Sequence, residues 1–387
     1  MKYIPYGHQS ISETDIEAVV RVLRSDWLTQ GPIVDQFEKA VAEYCSVGYG
    51  VAVCNATAAL HLACKVLGVG VGDYVWTSPN TFLASANCAM YCGAKIDFVD
   101  IDSRTYNLSI AELTKKLEIA ACNNQLPKVV LPVHFAGQSC DMKAIKNLAS
   151  QYGFKIIEDA SHAIGGSYYG EKIGNCRYSD LTVFSFHPVK IITTGEGGMI
   201  MTNNQEFSDK LKILRSHGMT REQKFMQSES EGVWYYQQVA LGHNYRLTDI
   251  QCALGLSQLK RIDEFVSKRH DLAKRYNKAL EGLPIILPFQ ESYNYSAFHL
   301  YVIQLKLDQI KKNRRQVFNE LRAAGIGVGV HYIPVHLQPY YRQFGFKKGD
   351  FFEAEKYYEA AITLPLYVGL AYEEQGYIIE KLQSICK

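Results

Sequence analysis

The sequence predicts an α/β protein built on a mostly parallel sheet, followed by a smaller α+β domain. Three observations predict it. Short apolar runs alternate with helix-period segments from residue 50 to residue 202, the pattern of strands joined by helical crossovers. One such run, KVVLPVHF at 128–135, is apolar almost throughout, as a strand covered on both faces is. After about residue 255 the alternation gives way to a long charged helical segment. The expected division is a large domain over 1–255 and a small one over 256–387.

Each element follows in order. Ser12, with Asp15 three residues on, makes a capping-box-like start for a first helix, which sets Ile16, Val19, Val20 and Leu23 on one face. A second helix turns Val34, Phe37 and Val41 inward. Residues 50–54 read as a buried strand, 57–67 as a helix, 68–73 (GVGVGD) as a turn and 74–78 as the next strand. A helix over 81–92, a strand over 96–101 and a helix from Ser109 lead to the strand at 128–135. Helix 141–151 and strands 154–160, 181–186 and 198–202 complete the series. Short right-handed crossovers place the C-terminal ends of such strands along one rim, where ligands bind. The polar connector 219–245 is rich in Gln, Glu and Tyr and too long to be idle, so it is expected to be functional or interfacial. The small domain reads as a helix over 255–281, a strand over 300–305, a helix over 311–324 and a strand over 327–332.

Composition narrows the function classes. The chain of 387 residues is 47% apolar and 21% charged, as ordinary soluble globular proteins are. A net charge of +2, with Lys and Arg scattered, supplies no field for nucleic acid. The N-terminal stretch MKYIPYGHQSISETD lacks the apolar core of a signal peptide, and no window approaches the roughly 18 apolar residues of a membrane span. A cytoplasmic location is expected. The ten cysteines form no CxxC pair and no Cys/His cluster; Cys88 and Cys92 are the closest two. They read as free thiols, and no metal site is expected.

Several residues at the expected rim carry chemistry. Lys190 follows an apolar strand and sits between Val189 and Ile191. Apolar flanks lower a lysine's pKa, which suits an amine that must be neutral to attack a carbonyl. Asp159 ends the strand FKIIED, where a carboxylate would hold a pyridine nitrogen protonated; an ordinary strand-end turn cap is the alternative. At NATAA the strand-to-helix turn, with Ala56 and Thr57, forms an anion site to which Ser185 could add a hydroxyl. Phe82 could cover a ring face or belong to the core, and His162 could touch a ligand oxygen or be structural. The stretch GHNYRLTD, with Asn244 and Arg246, could reach a phosphate in a neighbouring subunit, or be a loop with a helix cap at Thr248. The glycines at 68, 70 and 72 lack GxGxxG spacing and precede a strand, which argues against a dinucleotide-dependent oxidoreductase. A non-catalytic protein on the same scaffold would have no need of both Lys190 and Asp159.

Four blocks, NATAALHLA, EDASHA, SFHPVKIITTGEGGMIMTN and GHNYRLTDIQCALG, match in order and spacing a known family. Over essentially its whole length the chain resembles the DegT/DnrJ/EryC1/StrS sugar aminotransferases. That resemblance implies fold type I and pyridoxal 5'-phosphate, carried by Lys190, with Asp159 on the pyridine nitrogen. It implies Asn244 and Arg246 given across a homodimer interface; beside it, the reading of the residues makes Ala56, Thr57, Phe82, His162 and Ser185 the candidate cofactor contacts. Dehydratase relatives replace the lysine by histidine; Lys190 is retained here, which favours transamination. The stretches LTQGPIVDQFE, LRSHGM, ALGLSQLK and VHYIPVHLQPYY are further similar to one branch of that family. Members of that branch use glutamate to aminate C4 of a UDP-2-acetamido-2,6-dideoxy-4-keto-hexose for pseudaminic acid. By that likeness Tyr6, Asp26, Trp27, Leu28, Thr29, Ala56, Ser185, Asn244, His331, Tyr332, Ile333 and Pro334 line the nucleotide-sugar pocket. A GDP- or dTDP-linked 4-keto sugar is the alternative substrate.

Overall fold

Seven strands form the central sheet of the computed structural model, which describes residues 3–386. They are β1 (Tyr49–Val53), β2 (Tyr74–Thr77), β3 (Lys95–Phe98), β4 (Val129–Leu131), β5 (Lys155–Asp159), β6 (Leu181–Ser185) and β7 (Gly198–Thr202). In space they run β1-β7-β6-β5-β4-β2-β3. Six point the same way, and only β7 runs against its neighbours. The predicted mostly parallel sheet is therefore present. Because β7 starts at the rim where the others end, its first residue, Gly198, pairs with both Val53 and Ser185.

The first helix, α1 (Glu13–Leu23), has the expected capping box between Ser12 and Asp15. Its buried face is not the expected one. Ile16 and Leu23 are 47% and 55% exposed, whereas Asp15 and Val22 are buried. Asp15 is the cause: its carboxylate accepts from Ser257 (2.6 Å), Gln258 (2.8 Å) and Arg261 (2.6 Å), which rolls the helix about its axis. The second helix, α2 (Pro32–Cys45), buries Val34, Phe37 and Val41 as predicted. Its first turn is capped from afar, by the Asp249 carboxylate accepting from the amides of Gly31 and Ile33 at 2.6 and 2.9 Å. Next come α3 (Ala56–Val66), capped by Asn55, and α4 (Ala84–Tyr91).

Three expectations are corrected. The apolar run 128–135 is a strand only to Leu131; Pro132 has no N–H for the ladder, and the chain then makes a 3-10 turn at Phe135–Gly137. The single helix expected over 255–281 is two, α5 (Asp249–Leu259) and α6 (Ile262–Leu280). No Gly or Pro marks the break; Arg261 leaves the helical track where its guanidinium pairs with Asp15. Residues 327–332 form no strand. They lie extended between Ile4, whose carbonyl accepts from Gly327 N–H at 2.6 Å, and Thr363, which exchanges two hydrogen bonds with Gly329. The second sheet is instead β8 (Ile285–Ile286), β9 (Tyr301–Leu305) and β10 (Ala361–Leu364), in that order and antiparallel. Among the described residues no helix is long and apolar enough to cross a membrane, and no cluster of potential metal ligands occurs.

Candidate active site

A cavity of about 470 Å³ opens at the rim where β1, β5 and β6 end and β7 begins. The sheet supplies three of its walls. β5 delivers Asp159, β6 delivers Ser185, and the turn after β1 delivers the first residues of α3, Ala56 and Thr57. Asn55 caps that helix: its Oδ1 accepts from Ala58 N–H at 2.8 Å and its carbonyl from Ala59 N–H. Among the described residues the amides of Ala56 and Thr57 have no acceptor, so they present N–H groups and the positive end of the helix to the cavity. Gly198 makes this arrangement fit. A Cβ there would lie 2.6 Å from the carbonyl carbon of Asn55 and 2.7 Å from the nitrogen of Ala56.

Lys190 leaves β6 through a turn closed by its N–H on the His187 carbonyl (2.9 Å), and Ile191 and Ile192 behind it are buried. Burial pushes its amine down to about 8, against the opposing pull of Asp159. Asp159 is held at both oxygens. Oδ2 accepts from Ser85 Oγ–H at 2.6 Å, and Oδ1 accepts from Ser161 N–H at 3.1 Å. As an acceptor on both sides it is arranged as a carboxylate.

Two histidines and two tyrosines complete the interior. The Nδ1 of His162 accepts from Ala136 N–H at 3.3 Å, so the ring carries its proton on Nε2 and donates to Tyr332 Oη at 3.2 Å. Burial, then the nearby Lys190 and His331, keep His162 neutral well below its ordinary value. Burial likewise raises Tyr332, which keeps its proton; with one lone pair taken by His162, that proton is free to point into the cavity. His331, paired with Thr363 Oγ1 at 2.7 Å, is lowered to about 4 by burial and by Lys190. Tyr6 lies beside it, ring centroids 5.4 Å apart. Phe82 is 58% exposed at the cavity wall, so it is no core residue.

The expected residues divide into two groups. Tyr6, Ala56, Thr57, Phe82, Asp159, His162, Ser185, Lys190, His331 and Tyr332 line the cavity together. Asp26, Trp27, Leu28, Thr29, Asn244, Arg246, Ile333 and Pro334 do not. Of these, Asp26 to Thr29 and Asn244 are exposed, and Thr29 is bridged to Thr248, the cap of α5. Sequence reasoning missed Ser85, Gly198 and Glu196. Glu196 and Gly198 both lie within the lysine block, so their position was a signal; Ser85 carried none.

Comparisons with known proteins point to one family over almost the whole chain. The model of the DegT/DnrJ/EryC1/StrS aminotransferase family matches residues 9–383. The chain is 38% identical to the UDP-4-amino-4,6-dideoxy-N-acetyl-beta-L-altrosamine transaminase of Campylobacter jejuni, covering 99% of this chain and 97% of that one. Its structure is similar to that of Helicobacter pylori PseC, an aminotransferase involved in the biosynthesis of pseudoaminic acid, with a TM-score of 0.91 and 30% identity over 100% and 99% of the two chains. The PLP-form of Spr1654 from Streptococcus pneumoniae matches with a TM-score of 0.88 and 31% identity over 99% and 98%.

Proposed function

Because the chain belongs to the DegT/DnrJ/EryC1/StrS aminotransferase family, and is therefore a pyridoxal-phosphate-dependent sugar aminotransferase, we propose that it moves the amino group of glutamate to C4 of a UDP-2-acetamido-2,6-dideoxy-4-keto-hexose, as a pseudaminic acid enzyme does. The observation that carries this reading is one cavity holding Lys190, Asp159 and the α3 N-terminus together with Tyr6, His331 and Tyr332.

The residues fit pyridoxal phosphate. Lys190 offers an amine for its carbonyl, Asp159 a fixed carboxylate for its ring nitrogen, and the free amides of α3 a cradle for its phosphate, with Ser185 and Thr57 adding hydroxyls. When bound, the cofactor supplies an electrophilic carbon and a ring that accepts electrons from the substrate's α-carbon. The chain does the rest. Lys190, with its amine held near 8, has a substantial neutral fraction at neutral pH, so it both binds covalently and, once released, takes and returns the substrate's proton at Nζ. Asp159 keeps a facing ring nitrogen protonated, and Ser85 and Ser161 keep Asp159 from turning away. His162, uncharged, orients Tyr332. Tyr332 donates its proton into the cavity, where an oxygen of the keto sugar is the natural acceptor.

The enzyme acts as a homodimer in this reading. Val233, Trp234 and Leu241 on the connector are 96%, 69% and 76% exposed, which is apolar surface fit for a second copy. Asn244 and Arg246, with Asp26 to Thr29 tied to the same region through the Thr29–Thr248 bridge, would enter the partner's cavity. A panel of UDP-, GDP- and dTDP-linked 4-keto sugars with glutamate, with the product's C4 configuration read by NMR, tests the substrate. Product from the UDP-linked 2-acetamido sugar is expected; turnover of a dTDP or GDP sugar alone would refute it.

A further inference from the structure

His162 lines the cavity, and His299, which does not, packs against its ring with centroids 4.4 Å apart and planes at 45°. Both residues are buried. The hydrogen bonds of His162, at 3.3 Å from Ala136 N–H and 3.2 Å to Tyr332 Oη, are long against the usual length of about 2.9–3.0 Å. Two long bonds leave the ring free to tilt, so packing has to fix its plane. Phe135 and Tyr332 stand 6.2 Å off, and His299 is nearer. Its Nδ1 is buried without a hydrogen-bond partner among the described residues. Burial, then the nearby Lys190, keep the His299 ring neutral. What it gives His162 is contact, not charge.

The chain around His299 is itself held from two sides. Ala297 N–H donates to the Gly137 carbonyl at 3.0 Å and Leu300 N–H to the Ala136 carbonyl at 3.3 Å. The same turn supplies the Ala136 N–H that holds His162. Gly137, at a φ of 109°, permits this approach, because a Cβ there would lie 2.7 Å from the nitrogen of Phe298 and 3.1 Å from that of His299. From α6 the buried Arg269 donates through Nη1 to the carbonyls of Phe298 (3.2 Å), His299 (3.3 Å) and Leu366 (2.9 Å). His299 therefore has a fixed place just ahead of β9.

We propose that His299 is a positioning residue for the keto-sugar half of the reaction, fixing the ring plane of His162 so that the Tyr332 hydroxyl is aimed at an oxygen of the sugar. The inference rests on the reading of Tyr332 as donor to that oxygen. Glutamate brings no sugar oxygen to that place, so its half of the reaction does not call on the contact.

The test separates the two halves in the cofactor-loaded enzyme. Conversion of the cofactor to its amine form by glutamate, followed by absorbance, should keep its rate in His299→Ala. Return by the UDP-linked 2-acetamido 4-keto sugar should slow by about 10- to 100-fold. His299→Phe, which puts a ring back at that place, should recover most of the loss. In Tyr332→Phe the sugar half should already be slow, and adding His299→Ala should slow it no further. Equal slowing of both halves, or additive losses in the double variant, overturns the inference and leaves the aminotransferase reading standing. Failure of this sugar to return the unsubstituted enzyme would refute the substrate reading and the inference with it. Nitrogen NMR of the histidine-labelled, cofactor-free enzyme needs no turnover. His162 should hold a single Nε2–H tautomer, lost in His299→Ala and kept in His299→Phe; an unchanged tautomer in His299→Ala also overturns the inference. His299→Gln, which fills more of the space, carries the same comparisons if the alanine variant does not fold.

Discussion

Ser85 Oγ donates to Asp159 Oδ2 across 2.6 Å, and this contact ties the first turn of α4 to the end of β5. A hydroxyl has one proton, so Thr81 Oγ1, 2.7 Å from Ser85 Oγ, must donate to it in turn. A hydrogen bond to a charged group contributes about 1.5–3 kcal/mol. Ser85→Ala should lower kcat/KM by roughly 10- to 100-fold with the cofactor still bound. Steady-state kinetics together with the cofactor's absorbance check this; unchanged kinetics would mean that Asp159 is held without Ser85.

Lys190 and Asp159 give a prediction of sign. Burial lowers the amine to about 8, and the carboxylate opposes that shift by favouring the ammonium form. Asp159→Asn removes the opposition, so the midpoint for labelling Lys190 in the cofactor-free enzyme should move to lower pH. Reductive methylation followed by peptide mass spectrometry across a pH series measures it, and an upward shift would contradict the electrostatics. Lys190→Ala should lose turnover and the visible absorbance of lysine-bound cofactor together.

At Gly198 a single methyl group would intrude on the backbone of Asn55 and Ala56. Gly198→Ala should displace the first turn of α3 and weaken cofactor binding by roughly tenfold or more, with the fold retained. Equilibrium dialysis against pyridoxal phosphate and circular dichroism separate the two effects.

Asp15 bears on stability and not on catalysis. Burial pushes its carboxyl up, and hydrogen bonds from Ser257, Ser12 and Gln258 more than reverse this, leaving it below its ordinary value. A depressed carboxylate stabilises the fold above its unfolded pKa and loses that contribution as pH falls through the folded one. Asp15→Asn should therefore cost about 3 kcal/mol at neutral pH, because it leaves Arg261 and its neighbours short of an acceptor. The cost should shrink below about pH 4. Calorimetry at two pH values decides it; a pH-independent difference would rule out the charge as the source.

The rim of the large sheet was legible because topology alone puts strand ends there. Asp159, Ser185 and Ala56 needed only the alternation of elements to be placed, and all of them line the cavity. What was illegible depended on contacts between distant residues. The rotation of α1 is set by a buried aspartate, which an apolar periodicity counts as surface. The break after α5 is set by the same residue through Arg261, 246 positions away in sequence. The strand Ala361–Leu364 needs β9 beside it to be recognised, and residues 327–332 offer the same kind of apolar run without a continuous ladder. Ser85 acquires its role only because α4 lands against the end of β5.

The pairing of Ile4 with Gly325 and Gly327 has a consequence for the order of events during synthesis. Ile4 finds its hydrogen-bond partners only after more than three hundred further residues have been made. The large sheet, whose strands end by Thr202, can collapse on the ribosome well before that. Tyr6, two residues beyond Ile4, reaches its place beside His331 only when the C-terminal part has emerged. Loop closure over so long a span is slow, so the part of the cavity wall that holds Lys190 and Asp159 can be in place before Tyr6 and His331 complete it within the same newly made chain.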